Sequence, residues 1–217
     1  MISSFSLQRL AHKIFVPRKM LWCITLALLP AVAFYGLSIY VLTDIGFNTT
    51  EILRDPAQQT GDSSFRGFVS NIGVWMWVGA TSIALFSAFY LSDQRQEVVL
   101  LMGMLSLLLA IDDFFLIHDR YVNERICYLV YFMIAALLIL RNFWTLVDSQ
   151  GFAFALAGSL LTGSVLTDLA TARFTWGYER VQLLEEGLKF AGGVVWLYTT
   201  VRITSDFLRI KLTKNPT

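Results

Sequence analysis

Charge is what this sequence has least of. Only 15% of its 217 residues are Asp, Glu, Lys or Arg, against 56% hydrophobic, and the mean hydropathy is +0.60. Soluble domains average about 25% charged residues, so this composition excludes an ordinary water-soluble fold. No polar stretch runs longer than residues 44–71, which argues against a second, soluble domain. A net charge of +1 gives no reason to expect a nucleic-acid partner.

Cysteine and histidine are equally scarce, with two of each. Cys23 and Cys127 fall in apolar runs that place them at opposite membrane faces, about 30 Å apart. A disulfide needs α-carbons within about 7 Å, so two free thiols are expected. No Cys/His cluster has the spacing of a structural zinc site. Internal repeats are also absent, beyond a loose description as three two-span hairpins.

What is abundant is apolar runs that reach or approach the ~20 residues needed to cross a bilayer. The reading is all-α: a polytopic membrane protein of about six transmembrane helices in one bundle, with spans near 20–43, 72–91, 98–117, 126–147, 152–170 and 183–201. Residues 1–19 form a basic segment with amphipathic spacing, 44–71 an extracytoplasmic loop long enough to act as a lid, and 202–217 a basic tail. An even number of spans puts both termini on one side. The two tails hold eight of the 17 Lys and Arg residues, which makes that side cytoplasmic by the positive-inside rule. The expected location is a bacterial-type plasma membrane, with the lipid bilayer as first partner and a homo-oligomer or larger membrane complex as a further one.

Given that topology, every acid within a span falls in the outer leaflet. Asp112, Asp113, His118 and Asp119 close the third span, Asp168 closes the fifth, and Glu185, Glu186 and Lys189 open the sixth. Ionisable groups in a span are expensive and mark a functional site by default. Phe114 to Ile117 look buried and argue that Asp112 and Asp113 are buried too. At ~100° per residue Asp112 and Asp119 share a helical face. Lys189 stands four residues after Glu185 and three after Glu186, spacings that favour an ion pair within the helix. Gly187 with Ala191, followed by Gly192 and Gly193, would let the sixth span approach its neighbours closely. Trp75 and Trp77 read as interfacial anchors.

Three functions fit these residues. The first is binding and movement of a cation or proton by Asp112, Asp113, Asp168, Glu185 and Glu186, with Lys189 as counter-ion. The second is a metal-dependent hydrolase or oxidase acting on a lipid at the outer leaflet, with His118, Asp119 and Asp112 holding a divalent metal ion. The third is a non-catalytic subunit of a membrane complex. The pattern lacks the paired histidines of the intramembrane hydrolases related to alkaline ceramidase. Six spans and two glutamates beside Lys189 separate it from the retinal proteins.

Overall fold

A computed structural model of the chain describes residues 25, 29–47, 60–61, 63, 67–170 and 178–214, and these contain helices and no strand. The amphipathic segment expected over 1–19, Cys23 and most of the expected lid lie outside the described residues. The chain divides into two compact units, Met1–Arg66 and Gly67–Thr217.

In the first unit, helix α1 (Leu29–Asp44) covers the latter part of the expected first span. It ends where Gly46 turns to φ 107°, with the Phe47 amide donating to the Leu42 carbonyl and the Gly46 amide to that of Thr43. That pair of bonds is a Schellman stop, and glycine supplies the left-handed conformation it needs.

The second unit contains α2 (Phe68–Ala88), α3 (Asp93–Phe115), the single turn α4 (Ile117–Arg120), α5 (Glu124–Leu169) and α6 (Tyr178–Lys214). Of these, α2, α3 and α5 are long and apolar enough to cross a membrane, which points to a membrane protein. The residues between the spans expected at 72–91 and 98–117 are mostly helical: the turn is Phe89–Ser92 and the helix begins at Asp93. Gln96 explains part of the difference, because its side chain reaches back to the Ala88 carbonyl at 3.0 Å and satisfies the end of α2.

Helix α5 is the element that sets the topology. Its 46 residues leave helical φ/ψ at Asn142 and again at Gln150. The Tyr128 hydroxyl nevertheless donates to Asp168 Oδ2 at 2.5 Å. A straight helix at 1.5 Å per residue would hold those residues about 60 Å apart, so α5 must double back between the two breaks. Its first limb packs beside α3, where Arg141 meets Glu97. Its second limb packs beside α6, where Leu161 meets Gly192 and Leu188 meets Gly163.

Packing follows small residues. Ala80, Ala84 and Ala88 line the buried face of α2, and Gly103 of α3 sits against Leu85 and Ala84. On α3 the buried stripe Val98, Met102 and Leu105 recurs at helical spacing and runs on to Asp112. Helix α6 continues far beyond the expected span. Residues 202–214, expected as a tail, are helical, and Ile203 and Phe207 belong to the core.

Candidate functional site

Asp112 and Asp113 end the buried stripe of α3, and the chain turns immediately after them. Leu116 takes a left-handed conformation at φ 54°, which stops α3 and sends the chain into α4. The reversal brings His118 back onto Asp112. The His118 backbone amide donates to Oδ1 at 2.8 Å, and its ring Nδ1 lies 2.7 Å from Oδ2. Because α3 stops at Phe115, Asp119 does not continue the face of Asp112 as expected, and its side chain lies outside the described residues. Tyr131 of α5 lies close enough to interact electrostatically with the same carboxylate.

Phe114 and Phe115, expected to lie buried in the membrane, face away from the interior of the bundle. Phe114 is 66% exposed on the outside of the bundle while Asp112 is 4% exposed within it. Apolar groups outward and carboxylates inward is the arrangement that a hydrocarbon solvent favours. The acids are indeed buried, but the aromatic residues after them face away.

Asp113 points to the other side of α3, into the groove between α2 and α6. Its Oδ1 lies 2.7 Å from Lys189 Nζ, and its Oδ2 accepts from Trp77 Nε1 at 2.9 Å. Lys189, expected to be neutralised within its own helix, is thus paired across the interface, with Glu186 and Glu185 close enough to act on its charge. The niche they line is about 10 Å³ and is walled by Trp77, Asp113, Glu186, Lys189 and Gly193. That is room for about one water molecule. Asp168 completes the group through its bond from Tyr128, and Glu185 also acts electrostatically on Tyr128. The His118 and Tyr128 rings lie 6.3 Å apart.

Among the described residues, no three His, Cys, Asp or Glu side chains converge in a way that could hold a metal ion. His118 Nδ1 is committed to Asp112, which accounts for part of this. The close approach of α6 falls at Gly192 and Gly193, as expected, and not at Gly187. Gly187 has open space around it, whereas a Cβ on Gly192 would meet Leu161 at 2.7 Å, and Gly193 backs the Trp77 ring.

Three site residues escape a reading of spans alone: Trp77, Tyr128 and Tyr131. For Trp77 a signal exists. Trp75 and Trp77 stand about 200° apart on a helix, so only one can face lipid. Trp75 is exposed and Trp77 is buried, where its indole N–H needs an acceptor.

Fold and site together define a helical bundle with three apolar helices of membrane-spanning length, in which Asp112, Asp113, Asp168, Glu185, Glu186 and Lys189 are gathered at one end. Residues 21–203 match the family described as a domain of unknown function (DUF8692), and the chain belongs to that family. No curated protein and no solved structure matches it.

Proposed function

We propose that the protein is a six-span integral membrane protein, both termini cytoplasmic, whose outer-leaflet carboxylate cluster binds and exchanges protons. The doubling back of α5 supports counting it as two passes, which with one each for α1, α2, α3 and α6 makes six. The observation that carries the function is an imbalance of charge. Asp112, Asp113, Asp168 and Glu186 are gathered with Lys189 as the lysine among the described residues of the cluster, and His118 adds positive charge only when protonated. Surplus negative charge in a low dielectric must be relieved by a bound proton or cation. The proton is favoured over a larger cation on two grounds. Asp112, Asp113 and Asp168 already hold side-chain partners that a metal ion would have to displace, and the niche beside Lys189 is too small for a hydrated ion.

The test is proton flux in proteoliposomes containing a trapped pH dye, under an imposed membrane potential. Wild-type protein acidifies the lumen faster than empty vesicles, and Asp112→Asn and Asp113→Asn slow it. Folded wild-type protein that leaves the lumen as unresponsive as empty vesicles overturns the reading.

A further inference from the structure

The end of the bundle remote from the carboxylate cluster holds an open cleft of about 850 Å³, within the ~300–1,000 Å³ usual for small-molecule sites. The start of α3, the elbow of α5 and the last turns of α6 enclose it. Its walls carry both signs in equal number, Asp93, Asp148 and Asp206 against Arg95, Arg209 and Lys211. Four of these charges hold partners within the fold, with Asp93 accepting from the Ser92 hydroxyl at 3.1 Å and Arg95 lying over the Phe207 ring. Asp206 accepts from Gln150 at 2.9 Å and from Ser149 at 3.3 Å, and Lys211 donates to the Tyr90 carbonyl. Asp148 and Arg209 are exposed on the walls and hold no side-chain partner among the described residues.

The surroundings give the depth of this cleft. Phe86, Phe89 and Tyr90 at the end of α2, and Phe143 and Trp144 at the elbow of α5, all turn their rings outward. Of these, Tyr90 and Trp144 are the amphipathic rings that favour the level of lipid headgroups. An anionic headgroup would meet three carboxylates here, and a purely cationic ligand would meet three bases. A ligand carrying both charges meets neither conflict. Choline has no N–H to give a carboxylate and is recognised by aromatic faces. The aromatic ring lining this cleft is Phe207, and Arg95 already covers it at 5.8 Å.

We propose that the cleft seats the headgroup of a zwitterionic phospholipid with a primary ammonium, its phosphate toward Arg95 and Arg209 and its ammonium toward Asp148 and Asp206. The site is independent of the proton-exchanging cluster.

Native mass spectrometry of the full chain in detergent tests it, using an equimolar mixture of phosphatidylethanolamine, phosphatidylcholine and phosphatidylglycerol with matched acyl chains. Phosphatidylethanolamine should be retained over each of the others by about tenfold, the ratio expected from one charge-assisted hydrogen bond. Arg209→Gln and Asp148→Asn, both at exposed positions, should each reduce that retention several-fold, and Asp148→Asn should shift it toward phosphatidylglycerol. Equal retention of the three lipids, or retention unchanged in both variants, overturns the proposal. Binding of soluble phosphoethanolamine that phosphatidylethanolamine fails to displace overturns the lipid as its source.

Discussion

Lys189 Nζ lies 2.7 Å from Asp113 Oδ1, so this lysine joins α6 to α3 and does not serve its own helix alone. Trp77 holds the other oxygen of the same carboxylate, so one side chain of α3 ties together three helices. Removing one member of such a pair leaves an uncompensated charge, which is costlier than removing both.

The first prediction follows from that asymmetry. Lys189→Met should destabilise the protein by about 3–5 kcal/mol, read as a lowered melting temperature in detergent. The double variant Asp113→Asn with Lys189→Met should recover most of the loss. A double variant no more stable than Lys189→Met would show that the lysine acts by packing and not by charge.

Tyr128 and Asp168 close the hairpin of α5 at its open end. Tyr128→Phe should cost about 1.5–3 kcal/mol, the range for a hydrogen bond to a charged group. Combined with Asp168→Asn, the losses should fall well short of additive in a double-mutant cycle. Strict additivity would mean that the two side chains are not coupled.

Glycines on α6 should divide sharply. Gly192→Ala puts a Cβ 2.7 Å from Leu161 Cδ2 and 3.2 Å from the Leu161 backbone nitrogen. Overpacking of that kind costs about 1–3 kcal/mol. Gly187→Ala meets nothing within 4 Å, and should stabilise the helix by about 0.5–1 kcal/mol. Thermal melts of the two variants in the same detergent decide the matter, and equal melting temperatures would refute the packing described for α6.

Leu116 stands at φ 54°, a conformation that costs a residue with a Cβ about 1–2 kcal/mol. Leu116→Gly should therefore be tolerated with His118 still on Asp112. Leu116→Val, whose β-branch resists positive φ, should be destabilising. If the valine variant melts with or above the glycine variant, the left-handed stop after α3 is not what places His118.

Much of the fold can be read from residue order, because a bilayer makes composition and run length decisive. The apolar runs locate α2, α3 and both limbs of α5, and the acids stand in the sequence where the cluster forms. Helix ends are less legible, since they depend on local side-chain bonds such as that of Gln96 to Ala88. The length of α6 was hidden for a related reason. Arg202, Asp206 and Arg209 read as a solvated tail, yet Ile203 and Phe207 between them complete the core.

By itself the sequence determined that the chain is helical and apolar, and where along it the ionisable residues fall, because helix formation and the cost of burying charge act on every chain alike. Only the tertiary structure decided which partners meet. Asp112 with His118, Asp113 with Lys189 and Trp77, and Asp168 with Tyr128 depend on a left-handed residue after α3, the return of α5 and the close approach of α6 at Gly192. Pairing across helices depends on rotation and register, and these are set by packing between surfaces that no single run of residues contains.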